Sequence, residues 1–300
     1  MPEKLSVREF FARFPDDAAC LEHVMEVRYG LKHQCAACNK DKPAAERREW
    51  TFHRLKDRKA YSCANCGHHI YPCAGTIFQD SRTSLQLWFY AIFLFVTTRH
   101  GVSGMELHRS LGVTKKTGWR IGQQIRKLMT KADGFEVMKG HVAADETYIG
   151  GRRVGVPGQR GRGTPGKTIV AGLKERGGRI HADVVPDVRT GTLRNIILRH
   201  VQQGSIVSTD ELGSYSLLAH RGYRQGRIRH GKKQWVWVDA DGTKHHANHV
   251  ESFWNLFKNS VRSTHIHVSP KCMNRYLREF TFRSNHRRMN AMFDLLIGAV

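Results

Sequence analysis

Two cysteine pairs, Cys35-x-x-Cys38 and Cys63-x-x-Cys66, constrain this chain more than any other feature. Two intervening residues let both thiolates of one turn approach the same ion. A second such turn completes a tetrahedral shell with Zn–S of about 2.3 Å. A closed four-thiolate shell leaves no open position, so the implied Zn²⁺ is structural rather than catalytic. The seven cysteines are an odd number, and the opening MPEKLSVREFFARF has acidic residues and no continuous apolar stretch, so no signal peptide is expected. A metal site in a reducing cytoplasm therefore fits better than a disulfide framework. His68, His69 and Cys73 are alternative ligands, while Cys20 and Cys272 sit in apolar helical contexts and read as core. Short strand-like pieces at Trp50–His53 and Lys59–Ser62 make the segment of about 31–75 a zinc ribbon.

Helices are expected on both sides of the ribbon. Over residues 1–30, Phe10, Phe11 and Phe14, then Cys20, Leu21, Val24, Met25 and Val27, follow a helical period broken at Pro15. Leu85–Val96 is continuously apolar apart from Gln86, enters through Thr83 or Ser84 as N-cap, and reads as a buried core helix. It is too short to cross roughly 30 Å of hydrocarbon, so no membrane partner is expected. Ser103–Leu111 forms one further helix, Gly112 breaks it, and Thr114 caps a longer one carrying Trp119, Ile121, Ile125 and Leu128. In a helix-turn-helix of this layout the second helix can enter a DNA major groove. Lys115, Lys116 and Thr117 fall in its first turn, and Arg120 and Arg126 would approach the backbone. An ordinary helical hairpin with a solvated basic face is the plainer alternative. Charge favours DNA: 49 Lys and Arg against 26 Asp and Glu give +23, a surface that attracts polyanions and gains by counterion release.

Beyond about residue 135 the pattern changes. His141–Ile149, Thr168–Leu173 and Ile180–Val185 read as strands, Thr190–Gln203 as an amphipathic helix and Ser205–Thr209 as another strand, which implies a mixed α/β sheet. The chain is thus expected to be an α/β multi-domain protein: a helical segment at 1–30, the ribbon at 31–75, the apolar helix and helix-turn-helix at 76–134, and a mixed-sheet domain at 135–300. A hairpin insertion is expected at about 229–248, with His245, His246 and His249 belonging to it rather than to a second zinc site. Two helices close the chain at about 248–263 and 270–284. The Gly- and Arg-rich run Gly150–Gly166, with Arg152, Arg153, Arg160 and Arg162, and Lys167 just beyond, reads either as a DNA-backbone contact or as a solvated linker.

Three carboxylates are candidates to carry the chemistry, the third of them on a helix stripe whose plainer reading is a solvated face with weak Glu251–Asn255–Lys258 pairing. Asp145 in HVAADETYIGG and Asp210 in SIVSTDELGSY are both expected where a strand gives way to a loop. Each is followed by Glu, and in extended chain the two point to opposite faces, so spacing leaves open which of each pair lines a pocket. On the helix 248–263, Glu251, Asn255, Lys258 and Arg262 share one stripe, while Val250, Phe253, Trp254, Phe257 and Val261 form another. Clustered carboxylates repel unless cations neutralise them. Two metal ions, roughly 3.5–4 Å apart, activate the attacking oxygen and stabilise the leaving oxygen in phosphodiester chemistry. Mg²⁺ suits such hard oxygen ligands, and Mn²⁺ can substitute. Lys258, two turns after Glu251, is placed to touch a phosphate.

Over nearly its whole length the chain resembles the DDE transposases of bacterial insertion sequences, most closely the insertion-sequence fifteen-ninety-five group. The matching segments are EFFARFPDDAACLEHV, the paired cysteines, AGTIF and LWFYAIFLF, GVSGMELHRSLGVTKKTGWR, DETYIGG, RGRGTPGK, STDELGSY, HANHVESFWNLFKNSVRSTHIHVSP and REFTFRSNHR. The resemblance implies a ribonuclease H-like catalytic domain whose carboxylates fall on Asp145, Asp210 and Glu251, with the basic residue seven later on Lys258. It implies a transposase that binds terminal inverted repeats and performs Mg²⁺-dependent strand cleavage and transfer. A cytoplasmic, nucleoid-associated location and a dimer or higher assembly on two DNA ends follow from that role. The alternatives from other classes are a DNA-binding regulator derived from a transposase and a metal-dependent nuclease without transfer activity.

Overall fold

The computed structural model describes residues 5–150, 167–210, 215, 218–228, 236–245, 248–289 and 291–300. Two compact units emerge: Met1–Thr98 with Gly104–Leu128 and Met289–Val300, and Arg99–Ser103 with Met129–Arg288.

The first unit opens on α1 (Val7–Arg13) and α2 (Asp17–Tyr29), capped by a reciprocal Ser6–Glu9 box and by Asp16. An antiparallel sheet follows, in order β1 (Lys32–Gln34), β2 (Glu49–Arg54), β3 (Tyr61–Cys63) and β4 (His69–Ile70). The apolar helix α3 (Leu85–Thr97) is capped by Ser84, whose hydroxyl accepts from Leu87 N. The amide of Gln86, its one polar interruption, donates to the Phe14 carbonyl at 2.9 Å, which satisfies it beside the core. Phe10, Phe14 and Phe89 close around Phe293 of the terminal helix Met292–Gly298, and Arg13 pairs with Asp294 at 2.7 Å.

The helix pair follows as α4 (Gly104–Leu111) and α5 (Lys115–Asp133). Gly112 takes a φ of +65°, which a glycine adopts without strain, and Thr114 Oγ1 accepts from Thr117 N at 3.2 Å. The helices meet backbone to backbone: a Cβ on Gly118 would lie 2.6 Å from the Gly104 carbonyl oxygen.

The second unit is a five-stranded mixed sheet flanked by helices. Its strands are β5 (His141–Ile149), β6 (Thr168–Glu175), β7 (Ile180–Val185), β8 (Ile206–Thr209) and β9 (Arg224–Arg227), in spatial order β7-β6-β5-β8-β9. β5 to β7 form an antiparallel meander, and β8 and β9 run parallel to β5. Between β7 and β8 runs α6 (Thr190–His200), whose Leu193 and Ile197 cover one face with Val142, Ala144 and Leu173. On the other face Val170, Ile180 and Ala182 meet α7 (Asn248–Ser260) and α8 (Pro270–His286) through Val250, Phe253, Trp254, Phe257, Leu277 and Phe280. Packing on both faces rigidifies the middle of the sheet.

A short hairpin, Trp237–Val238 paired with Lys244–His245, turns at Gly242; 229–235 and 246–247, including His246, lie outside the described residues. His245 is fully buried and hydrogen bonds to Ser208 at 2.8 Å and Asp239 at 3.0 Å. Ser208 is equally inaccessible, so this Ser–His–Asp chain is a latch for the hairpin and no nucleophile.

Candidate active site

The site is built at the centre of that sheet. β5 pairs with β8 so that His141 faces Ile206 and Ala143 faces Ser208; continued two residues, the register sets Asp145 opposite Asp210. Asp210 follows the end of β8, as expected of a residue at a strand-to-loop junction. Asp145 does not: it lies inside β5, which runs on to Ile149 because β6 pairs with it as far as Thr168. On the other side of β5, β8 ends at Thr209, so Asp145 lies level with the residue that follows that strand.

Strand alternation separates Asp145 from Glu146. Ala144 packs on the α6 side and Ile149 on the α7 side, so Asp145 shares the face of α7. Glu146 turns to the α6 side, where Tyr215 donates to it at 3.1 Å. The other acidic neighbour, Glu211, lies outside the described residues.

Trp254 ties α7 to this point. Its indole N–H donates to Asp145 Oδ2 at 3.0 Å, and the ring lies over Gly172, the residue opposite Asp145 on β6. A Cβ at Gly172 would come within 2.4 Å of the indole Cζ2, so only glycine leaves room for the ring. The sequence placed Trp254 on the apolar stripe; its role as a hydrogen-bond donor was invisible in a period that only counts hydrophobicity.

Glu251 lies one turn before Trp254 on the same helix. Burial, and then the negative charges of Asp210 and Glu251, push the Asp145 carboxyl up to about 6. Both effects favour the protonated form of Asp145 as long as no cation neutralises the cluster.

A cavity of about 590 Å³ is lined by Lys167, Lys258, Arg262 and His267 together with apolar residues such as Ile149 and Val268, and its Lys258 lies close enough to Asp145 to respond to that charge. The Lys258 ammonium is depressed by burial and by the neighbouring Arg262 and Lys167, with Asp145 opposing that shift. It therefore stands between the acidic and basic halves of the site. Spacing had aligned Arg262 with Glu251; His267 carried no signal beyond its place in the chain.

His181, Asp183 and His200 also gather within 4.8 Å. Arg278 already donates to Asp183 at 2.6 Å and faces His181 Nδ1 at 3.2 Å, so a guanidinium holds the place a cation would take.

In the first unit all four cysteine sulfurs lie within 4.8 Å, with Cys35–Cys66 at 3.5 Å and Cys38–Cys63 at 3.9 Å. Tetrahedral Zn–S bonds would separate the sulfurs by about 3.8 Å, so the donor set fits zinc. Each pair sits on its own turn of the same form: Asn39 N donates to the Cys35 carbonyl at 3.1 Å and Gly67 N to the Cys63 carbonyl at 3.0 Å. Asn65 Nδ2 adds a hydrogen bond to Cys38 at 3.3 Å. His68, His69 and Cys73 take no part in the group.

Of the basic residues assigned to DNA, Lys115, Lys116 and Arg120 are exposed on α5 and Thr117 is half-buried; Lys167 is exposed. Arg126 cannot approach a DNA backbone: it is 1% exposed and its guanidinium stacks on Phe95 at 5.1 Å. Trp119, on the same helix, is 51% exposed beside Arg120. Gly118 explains this, because the close approach of α4 there leaves no depth for an indole. Arg152, Arg153, Arg160 and Arg162 lie outside the described residues.

Residues 137–285 match the family model described as the ISXO2-like transposase domain. An uncharacterized protein in transposable element ISH50 of Halobacterium salinarum is 27% identical over 237 residues, covering 74% of this chain and 77% of that protein. An uncharacterized transposase-like protein of Haemophilus influenzae is 27% identical over 124 residues, 39% of this chain and 90% of its own length.

Proposed function

Because the chain belongs to the insertion-sequence DDE transposases of the fifteen-ninety-five group, with its ISXO2-like domain at residues 137–285, we propose that it cuts and rejoins DNA at the element's ends using Asp145, Asp210 and Glu251. The observation that carries this reading is the facing of Asp145 and Asp210 on adjacent strands, with the helix of Glu251 fastened to Asp145 through Trp254. The second unit is read as a ribonuclease H-like catalytic domain. The cysteine-bearing sheet is read as a zinc ribbon that, with a helix-turn-helix formed by α4 and α5, holds the terminal inverted repeats.

Asp145, Asp210 and Glu251 would hold two Mg²⁺, which when bound activate the attacking oxygen and stabilise the leaving one. The hard oxygen donors suit that ion. The chain's own contribution is positioning. Trp254 fixes the rotamer of Asp145, and Lys258 offers a part-buried cation to a phosphate beside it. Water first cuts a phosphodiester to leave a 3′-hydroxyl. That hydroxyl then attacks a target phosphodiester, forming one P–O bond as another breaks. Lys115, Lys116, Thr117 and Arg120 would meet DNA from the first turns of α5, and the run 151–166 with Lys167 would add backbone contacts.

A strand-transfer assay tests this. Labelled DNA carrying the inverted repeats and a target plasmid are incubated with the protein in Mg²⁺ or EDTA. Joined products that need Mg²⁺ and vanish with Asp210→Asn are expected. Cutting without joining would make the protein a nuclease, and tight binding without either would make it a regulator. Lys258→Ala is expected to slow joining by about tenfold or more, the scale of a lost charge contact in a transition state, with a smaller loss of DNA affinity. Equal losses would reduce Lys258 to a plain phosphate contact.

A further inference from the structure

The chain leaving α7 carries an apolar side chain into solvent at the rim of the cavity that Lys258 lines. After Ser260 the helix continues for Val261–His265 as a π-turn, a form that recurs at functional sites. Ile266 then takes φ 60° and ψ −51°, and His267 N donates to the His265 carbonyl at 2.6 Å. That is the strained kind of three-residue turn. A β-branched residue avoids positive φ because its Cβ crowds the backbone, and glycine would adopt the turn freely. Packing does not account for the isoleucine either. It is 82% exposed, the highest among the described large apolar side chains. Its neighbours are anchored, His265 against Tyr276 with ring centroids at 4.7 Å and Val268 in the core. Ile266 is thus a bare apolar tip on a held turn.

The surroundings say what the tip would meet. Ile266 lines the same cavity as Lys167, Lys258, Arg262 and His267. A ligand matching both features needs phosphates with apolar faces directly behind them, and duplex DNA presents stacked bases just inside its backbone. We propose that Ile266 is a wedge that enters the base stack at the junction between element and flank while Lys167, Lys258 and Arg262 hold the adjoining phosphates. Apolar side chains inserted in this way unstack a base step. A phosphodiester at that junction, opened so, could reach carboxylates set within a sheet. The inference rests on the transposase reading only for the identity of the DNA.

The test separates the wedge from the chemistry. End-sequence duplexes carry 2-aminopurine at successive positions across the junction, and fluorescence is read in Ca²⁺ with wild type, Ile266→Ala, Ile266→Gly and Ile266→Met. Wild type and Ile266→Met are expected to brighten one or two adjacent positions. Ile266→Ala and Ile266→Gly are expected to lose that signal while binding the duplex. In Mg²⁺, Ile266→Ala should cut paired ends about tenfold more slowly, the scale of a lost unstacking contact, and the deficit should shrink on ends carrying a mismatch at the junction. Equal brightening in all four proteins, or none with wild type, overturns the wedge. Loss in Ile266→Met as well would assign the effect to the turn's backbone and overturn it too. Wild type that brightens the junction but neither cuts nor joins DNA would remove the transposase reading and leave the wedge standing.

Discussion

At the scale of single residues, Asp145 sits where a carboxylate is costly: inside a strand, where burial first and then two further acidic groups lift its carboxyl to about 6 from the usual 3.8. The unfolded chain ionises first, so stability falls as pH rises from about 4 to about 6 and stays lowered above that. A shift of this size corresponds to about 1–3 kcal/mol after allowance for partial solvation. Asp145→Asn, which keeps an acceptor for Trp254, is therefore expected to raise the melting temperature of Mg²⁺-free protein by several degrees at pH 8 and little at pH 4.5. Added Mg²⁺ should stabilise wild type and not the variant. A variant that melts with or below wild type at pH 8 would remove the electrostatic account of the site. This cost is partly legible in the sequence: DETYIGG and STDELGSY mark the acidic residues, but the choice between Asp145 and Glu146 becomes physical only when strand alternation sends one toward α7 and the other toward Tyr215. The same limit hid the Trp254 hydrogen bond and the stacking of Arg126 on Phe95, because both join residues distant in sequence and unlike in polarity.

At the scale of elements, most helices and strands follow from local signals. Ser84, Asp16 and Thr114 start helices through their side-chain oxygens, and Gly112 and Gly242 turn the chain where a positive φ is required. Local signals do not say which elements touch. Gly172 looks like an ordinary weak point in a strand, yet it is where α7 lays its indole on the sheet. Gly172→Ala is expected to cost about 1–3 kcal/mol by overpacking, and to reduce cutting more than DNA binding because displacing Trp254 releases Asp145. Gly191→Ala, in the first turn of α6 with nothing within 4 Å of the added methyl, serves as the contrast and should hold or slightly raise stability. Thermal melts of the two variants decide the matter: equal melting temperatures would mean that the ring moves aside and that α7 is not seated by it. The element that breaks the local rules most openly is the turn at Ile266, where helix, strain and exposure coincide. Sequence periodicity treats it as one more apolar residue.

At the scale of the molecule, the two units offer donor sets suited to different metals. The first gathers four soft sulfur donors in a closed group, and the second sets hard carboxylates near Asp145, whose charge also reaches Lys258 on the lining of a cavity. The cysteine spacing made the first legible at once, since two short turns are nearly the whole geometry. The second had to be assembled from three segments 65 and 41 residues apart, counted from Asp145 to Asp210 and on to Glu251, which only the sheet and α7 bring together. Nor does a reading along the chain reveal that Phe293 and Asp294, near its end, pack with Phe10 and Arg13 near its start. This division predicts two separable metal dependences. Cys35→Ser, or prolonged treatment with a zinc-selective chelator, should lower zinc from about one ion per chain and lower the melting temperature with it, since a structural site contributes folding energy directly. Binding to inverted-repeat DNA should fall in parallel, whether or not Mg²⁺ is present. Asp210→Asn should do the reverse, leaving zinc content and DNA binding close to wild type while abolishing joining. Metal analysis, melting curves and gel shifts on the same preparations measure all three quantities. If zinc loss left both melting and binding unchanged, the ribbon would lose its structural role; if Asp210→Asn lost binding along with joining, the carboxylates would have to be reassigned to holding the second unit together.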